Sequence, residues 1–483
     1  DHRDLHSFPT RRSSDLVSIS CYDILFVAKI ETIFCRFMKL LLVLPHGPIH
    51  RAGTGTYKRA LRYAPLTLAT LVALVPPELG FEVKIIDEGA DVWHPRDYLD
   101  YDLVAISTMT GTAVRAYAMA DFFRRHNITV ILGGIHATLM PQEAKEHADC
   151  VVTGLAEETW PQALRDFAQK QLKPFYHMRA DLDLGSFYTP VPDRSVFDRK
   201  KYITVNSIEA TRGCAFKCTF CAVATAWNNR YYTRPVANII DEIKGLEGNE
   251  LCFLDPSLTC NREFSLQFFR ALKPLNKWWV GCSTIDVAHD PELLAALAES
   301  GCRGLLIGFE SVSPQSLAEV RKTFNDVKRY REAVRRFHDH GIGIQACFVF
   351  GLDTDDRDVF KRTVDFIYES EIDLPQFSVL TPFPGTAVYR ELAAQNRILE
   401  TNWALFDAEH VVFRPKNMTV EQLQDGLIYA WRKSYSLRSI FKRLSGSRCL
   451  LSVSIPANIG YNYYARHLSR YTPDRMHQEQ QEF

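Results

Sequence analysis

Cys214, Cys218 and Cys221 stand at CxxxCxxC spacing in the run Thr211-Arg212-Gly213-Cys214-Ala215-Phe216-Lys217-Cys218-Thr219-Phe220-Cys221. Thiolates are soft ligands that select zinc, copper(I) or iron–sulfur clusters. Structural zinc takes four ligands in paired short spacings, and no second CxxC and no H-x3-H follows within the range of a zinc ribbon. Three thiolates from one tight loop would leave the fourth iron of a four-iron, four-sulfur cluster open, where a substrate or cofactor can be bound and activated. Gly213 and the aromatic Phe220 suit such a loop, close behind an apolar, strand-like run from Tyr202 to Ile208. A zinc knuckle, or three cysteines that are merely buried, is the alternative. A fourth cysteine such as Cys252, Cys260 or Cys282 completing a tetrahedron would favour zinc or a closed electron-transfer cluster.

Cys214, Cys218, Phe220 and Cys221 match the CxxxCx(aromatic)C motif, and here the sequence resembles the radical S-adenosylmethionine superfamily. The resemblance implies that the open iron chelates the amino and carboxylate groups of S-adenosylmethionine. The reduced cluster would cleave it to methionine and a 5'-deoxyadenosyl radical, drawing on an external one-electron reductant of the flavodoxin or ferredoxin type.

Strand–helix units must position that loop. Strands are predicted at Tyr202–Ile208, Leu251–Leu254, Trp279–Thr284, Gly304–Ile307, Ile344–Phe350 and Phe377–Leu380, with helices such as Val236–Lys244, Glu263–Leu272, Pro291–Ser300 and Val359–Glu369 between them. Six units suggest a partial parallel (β/α)6 barrel with its site at the carboxyl ends of the strands. Polar residues recur there: Asp255-Pro256-Ser257, Ser283-Thr284-Ile285-Asp286, Gly308-Phe309-Glu310-Ser311, Gly351-Leu352-Asp353 and Thr381-Pro382-Phe383-Pro384-Gly385. The resemblance implies that Phe220, Ser283, Thr284, Glu310, Lys322 and Gly351 contact S-adenosylmethionine. Glu310 would take the ribose, and Lys322 would lie across the cavity, facing the methionine carboxylate. Asp353-Thr354-Asp355-Asp356 reads as an N-cap cluster for the following helix rather than a metal site. His338 and His340 diverge on a helix and form no ligand pair.

Upstream, strands at Leu40–Leu44, Phe81–Ile86, Asp102–Ser107, Ile128–Leu132 and Cys150–Thr153 alternate with a helix-like segment at Pro65–Leu79, which Pro76-Pro77 must end or kink early, and helices at Val114–Arg125 and Glu158 to about Lys170. Such alternation implies a doubly wound parallel sheet, whose ligands sit outside the carboxyl ends of the strands. No GxGxxG follows the first strand, whereas Ser107-Thr108, Gly133-Gly134-Ile135-His136-Ala137-Thr138 and Gly154 follow the later ones. This segment resembles the cobalamin-binding domain fused to one class of radical S-adenosylmethionine enzymes, and it lacks the DxHxxG motif. The resemblance implies cobalamin held by Ser107, Thr108, Gly133, Gly134, His136, Thr138 and Gly154, with no histidine on cobalt from that motif. A loop histidine such as His136 more often caps backbone groups than binds a metal. A Rossmann-like fold with no cofactor is the alternative.

The whole chain of 483 residues is too long for one core. The fold class read here is α/β, with residues 38–172 a cobalamin-binding domain, 173–200 a linker, 201–400 the barrel and 401–483 a mainly helical cap. Residues 1–37 read as a non-native leader resembling translated adapter sequence, with Met38 a plausible natural start. The apolar run from Val17 to Phe37 carries Asp23, Lys29, Glu31 and Arg36 and makes a poor bilayer span. Lys+Arg and Asp+Glu both total 57, so the totals give no basic field for nucleic acid or an anionic bilayer. Twelve cysteines, three of them in the motif, suit a reducing cytoplasm. In the cap, Thr419-Val420-Glu421-Gln422 opens an amphipathic helix to about Leu444, and Tyr429, Trp431, Tyr435 and Phe441 are expected on the barrel mouth.

The resemblance covers Met38 to about Ile440. It implies a cobalamin-dependent enzyme that methylates an unactivated carbon of a small-molecule, lipid or tetrapyrrole-type substrate. Radical cyclisation or oxidation with the same cofactors, or a non-catalytic cobalamin-binding regulator, are the rival expectations.

Overall fold

The computed structural model describes residues 38–46, 62–179, 189–446, 449 and 451–468. The leader with Cys21 and Cys35, Gly185, Phe187 and Tyr188 of the linker, and Tyr471 lie outside them.

The first sheet carries β1 (Lys39–Leu44), β2 (Glu82–Asp87), β3 (Leu103–Ser107), β4 (Thr129–Gly133), β5 (Cys150–Thr153) and β6 (Phe175–His177), in the order β2-β1-β3-β4-β5-β6 and parallel throughout. β1 and β3 are apolar along their length because helices cover both faces. One face packs with the helix Ala113–Arg125, through Ala116, Met119, Ala120 and Phe123. The other packs with Leu66–Ala73 and Ala156–Ala168, through Leu68, Trp160 and Leu164. The predicted helix to Leu79 stops at Ala73. Pro76 and Pro77 cannot continue it, and only a single 3-10 turn follows.

The second sheet carries β7 (Ser207–Ile208), β10 (Glu250–Phe253), β11 (Trp278–Ser283), β12 (Cys302–Glu310), β13 (Gly343–Phe350) and β14 (Leu374–Val379), in the order β14-β13-β12-β11-β10-β7. It is parallel and open rather than closed into a ring. Between its first two strands, β8 (Thr211–Gly213) and β9 (Tyr231–Thr233) form a short antiparallel ribbon around the cysteine loop. The strand expected from Tyr202 is reduced to two residues. The backbone ahead of it pairs with the first domain instead: Ala64 donates to Thr204 O (3.1 Å) and Ile203 to Arg62 O (2.7 Å). The linker thus becomes a seam between the two sheets, and its segment Phe175–His177 extends the first of them.

Three helices follow the barrel: Val420–Ser434, Leu437–Gly446 and Leu451–His467. The first opens with a reciprocal cap between Thr419 and Gln422. The single helix expected to Leu444 is interrupted at Tyr435–Ser436. Tyr435 is fully buried, with its hydroxyl donating to Pro375 O (2.6 Å). Among the described residues no helix is long and apolar enough to cross a membrane.

Candidate active site between two sheets

The cysteine loop is pinned from beneath by Asp255, at the carboxyl end of β10. Its carboxylate accepts from Ala210 N (3.0 Å), from Thr211 Oγ1 (2.6 Å) and from Thr211 N. Full burial pushes Asp255 up to about 7, against the Thr211 hydrogen bond, which lowers it. Gly213 takes φ +72° because Arg230 O crowds the place a side chain would need. The loop also anchors sideways. Phe216 stacks on Phe324 with ring centroids 4.2 Å apart, Thr219 N donates to Val320 O (3.3 Å), and Thr219 O accepts from Val388 N (3.2 Å).

Cys214, Cys218 and Cys221 are all free and partly exposed on this loop. Burial pushes the Cys218 thiol up to about 11, and both Lys322 and Glu310 act on it electrostatically. The loop therefore faces the carboxyl end of β12. Among the described residues no group of three or more His, Cys, Asp or Glu side chains is gathered tightly enough for a single metal ion. Three soft thiolate donors on one loop suit iron and sulfide. Cys260 approaches the loop, with its Sγ 3.9 Å from that of Cys214. Burial pushes the Cys252 and Cys282 thiols up to about 12 and about 11.

At the end of β12 the chain bulges. The register with β13 shifts between Gly308 and Glu310, and Glu310 takes φ +59°, a conformation that is strained for a side chain with a Cβ. Asn325 Nδ2 braces the bulge by donating to Gly308 O (3.0 Å) and Phe309 O (3.1 Å), and Tyr330 OH also donates to Phe309 O (3.0 Å). Glu310 and Lys322 do not face each other across a cavity. They are bonded directly, both buried, and folded back over Gly308, where any side chain would collide with them. Burial alone would lower the Lys322 ammonium, but the Glu310 carboxylate outweighs it and the net shift is upward.

Ser283 Oγ shares a hydrogen bond with Thr259 Oγ1 (2.8 Å) at the end of β11, with Thr284 beside it. Gly351 lies against the cap: a Cβ there would stand 2.7 Å from Leu423 and 3.2 Å from Phe413. In the acidic run after it, Asp356 serves the start of the following helix by accepting from Asp358 N (3.0 Å), while Asp358 at the cap position makes no side-chain capping bond. Asp355 instead ties the Gly351 turn, accepting from Gly351 N and Leu352 N (3.0 Å each), and Asp353 pairs with Arg397 (2.6 Å). Sequence reasoning missed these roles: the Arg397 partner of Asp353 lies forty-four residues on, while Asp355 serves a local turn.

In the first domain, the ends of β3, β4 and β5 are stitched to one another. Thr108 N donates to Gly133 O (2.9 Å) and His136 N to Thr108 O (3.1 Å). Thr138 Oγ1 donates to Gly134 O (2.9 Å) and accepts from Gly154 N (3.0 Å). Gly134, at φ +92°, is required by the protein itself, since a Cβ would stand 2.6 Å from Thr108 O and 3.0 Å from Ser107 Oγ. Gly154 similarly admits Met178. A Cβ on Gly133 would meet nothing nearer than Val152 O at 3.6 Å, and Met109 is exposed on the loop after Thr108. Backbone and small polar side chains at three adjacent strand ends fit a broad flat ligand such as a corrin. His136 turns inward: it is fully buried, with Nδ1 3.3 Å from Thr110 Oγ1 and Nε2 3.4 Å from Glu143.

The two domains meet at these loops. The helix Ile135–Leu139 packs on Ala222–Ala226, which follows Cys221 directly. A Cβ on Gly385 would stand 3.3 Å from Leu139 and 3.4 Å from Thr225.

Residues 57–164 match the B12 binding domain family and residues 208–367 the Radical SAM superfamily. A bacteriochlorophyllide d C-12(1)-methyltransferase of Chlorobaculum tepidum is 31% identical over 376 residues, 76% of this chain and 82% of that protein. The chain belongs to the cobalamin-binding radical S-adenosylmethionine enzymes. A second relative in this family, the bacteriochlorophyllide d C-8(2)-methyltransferase of the same organism, is 28% identical over 78% of this chain and 87% of its own length. The fold of this family is seen in the methyltransferase TsrM of Kitasatospora setae, solved with cobalamin and a [4Fe-4S] cluster. It matches with a TM-score of 0.61 at 16% identity, over 90% of this chain and all of that one.

Proposed function

We propose that this enzyme methylates a carbon of a tetrapyrrole-type substrate. The observation that carries the reading is the contact between Ile135–Leu139 and Ala222–Ala226, which sets the loops of the two domains against one another. The substrate class rests on the two bacteriochlorophyllide methyltransferases.

In this reading residues 38–172 hold cobalamin, 201–400 form the catalytic barrel, and 401–483 cover it. Cys214, Cys218 and Cys221 would hold the cluster, while Phe220, Ser283, Thr284, Glu310 and Lys322 would line the S-adenosylmethionine site. Ser107, Thr108, Gly133, Gly134, Thr138 and Gly154 would form the corrin face, with His136 supporting it from behind. When bound, these groups supply a substrate-activating radical and a transferable methyl. The chain's own contribution is to bind, orient and exclude water. Lys322 offers an ammonium already desolvated beside Glu310, so a carboxylate arriving there meets a charge with little water left to remove. The aromatic layer of Phe309, Phe348, Phe350 and Phe377 packs the sheet against the helices that cover it, through Phe366, Phe360 and Trp431. A small one-electron donor protein of the flavodoxin or ferredoxin type would serve the cluster, in the reducing cytoplasm that the thiols require.

The test is anaerobic reconstitution with iron, sulfide, cobalamin and a reductant, followed by methyl-labelled S-adenosylmethionine and bacteriochlorophyllide d. Labelled methyl on a carbon of the product is the expected result. Substrate conversion with S-adenosylmethionine cleaved but no label transferred would assign cyclisation or oxidation instead.

A further inference from the structure

The balanced charge of the whole chain conceals a polarised C-terminus. Between Asp425 and Asp474 the sequence contains no acidic residue, while Arg432, Lys433, Arg438, Lys442 and Arg466 fall within the helices there and are all exposed.

The helix Leu451–His467 is also inverted relative to an ordinary surface helix. Its polar and small residues face the protein: Ser454, Asn458, Gly460 and Ala465 are buried. Asn458 Nδ2 donates to Asp373 O (3.1 Å), and its Oδ1 accepts from the buried Arg443 (2.8 Å). Arg443 in turn donates to Ile372 O (2.8 Å), Asp373 O (2.7 Å) and Ser434 O (3.0 Å). Asn462 Nδ2 donates to Tyr435 O (2.5 Å). The helix is thus held by polar bonds and by Tyr461 and Tyr464, which pack on Trp431, while a separate apolar stripe turns outward. Leu451, Ile455, Ile459 and Tyr463 recur every fourth residue, 40–57% exposed. On the preceding helix Leu437 (66%) and Phe441 (79%) repeat the pattern, with Arg438 and Lys442 next to them.

A large exposed apolar stripe marks an interaction surface. We propose that this face lies on an anionic lipid membrane, as an interfacial rather than spanning element. Apolar and aromatic residues flanked by Lys and Arg on short helices are the composition of in-plane membrane binding. The helix is too short, and insufficiently apolar, to cross. The charge distribution decides against a second copy of the chain, because twofold pairing of this acid-free segment would bring Arg438 and Lys442 against their own kind. Anionic headgroups neutralise them.

The experiment is vesicle flotation of the full chain with equimolar phosphatidylcholine and phosphatidylglycerol, and with phosphatidylcholine alone. Wild type should float with the anionic vesicles, bind the neutral ones several-fold less, and be released by salt. Ile455→Ser with Ile459→Ser should lower partitioning by about tenfold or more. Arg438→Glu with Lys442→Glu should do the same on anionic vesicles alone. All four sites are exposed, so unchanged thermal unfolding is expected and separates lost binding from lost fold. Flotation of the variants at wild-type level would overturn the proposal. So would a wild-type dimer in sedimentation that Ile459→Ser converts to monomer.

Discussion

Arg212, two residues ahead of Cys214, is ion-paired with Glu157 in the helix that follows β5 of the first domain. Its Nε also donates to Glu209 at 2.6 Å. One buried guanidinium therefore ties the cysteine loop to the strand-end face of the neighbouring domain. Glu157 Oε2 has no other partner, and burial pushes this carboxyl upward against the pull of Arg212.

Removing the cation should expose that arrangement. Arg212→Met leaves two acids facing each other without compensation, a change that typically costs about 3–5 kcal/mol. Urea unfolding should show the loss, and Arg212→Met combined with Glu157→Gln should recover part of it. Equal losses in the single and double variants would mean that the pair is not coupled.

Each of Cys214→Ala, Cys218→Ala and Cys221→Ala should abolish iron and sulfide retention after anaerobic reconstitution. Cys260→Ala should not, although its sulfur is near that of Cys214. Iron lost from the Cys260 variant would add a fourth protein ligand and close the site to S-adenosylmethionine.

The strand ends were legible because buried parallel strands write continuous apolar runs, and the glycines and acids after them break those runs. The helices Val236–Lys244 and Val359–Glu369 were read to their last residue, being strongly amphipathic and cleanly bounded. What stayed hidden was long-range. β6 sits in a proline-rich stretch that looks like linker, and its strand character comes from pairing with β5. Gly351 reads as a cofactor-facing glycine but is explained by Leu423, seventy-two residues on. The Leu451–His467 helix escaped because Leu451, Ile455, Ile459 and Tyr463 face outward while Ser454 and Asn458 face the protein, the reverse of the rule used to find helices.

Glu310 and Lys322 should behave as one unit toward S-adenosylmethionine. Each single alanine variant strips a buried charge of its partner, so each should weaken binding by more than tenfold, consistent with a typical cost of about 2–5 kcal/mol. The double variant should lose less than the two effects added together, because its second change removes an orphaned charge. Calorimetric titration of the three variants checks this, and strict additivity would place the two residues in separate roles.

Asp255 makes a pH prediction. Its folded value, about 7, stands above the ordinary 3.8, so ionising it opposes folding. The associated stability is full below the ordinary value and is lost as pH rises through about 7. Asp255→Asn cannot ionise, so the stability of wild type relative to this variant should fall between pH values near those two limits. A gap that stays constant, or widens with pH, would mean that the carboxylate is ionised without penalty.

His136 separates a cobalt ligand from a structural histidine. Its ring nitrogens are engaged by Thr110 and Glu143, and Glu143 also accepts from Trp403 Nε1 at 2.8 Å. Burial would raise the Glu143 carboxyl, but hydrogen bonds from His136 and Trp403 help outweigh it and hold it below the usual range. Trp403 belongs to the segment after the barrel, so this buried group fastens the cap to the first domain. Replacing Gly134 with a bulky residue cannot test corrin binding cleanly, because the new side chain would strike Thr108 first. His136→Gln is the better probe. As a structural residue it should leave the absorption spectrum of bound cobalamin unchanged while lowering the thermal midpoint, with about 1–3 kcal/mol lost for the unsatisfied partners. Trp403→Phe should lower the midpoint in the same direction, and the two changes should be non-additive. A shifted cobalamin spectrum in His136→Gln with an unchanged midpoint would put the imidazole on the metal and reverse the assignment.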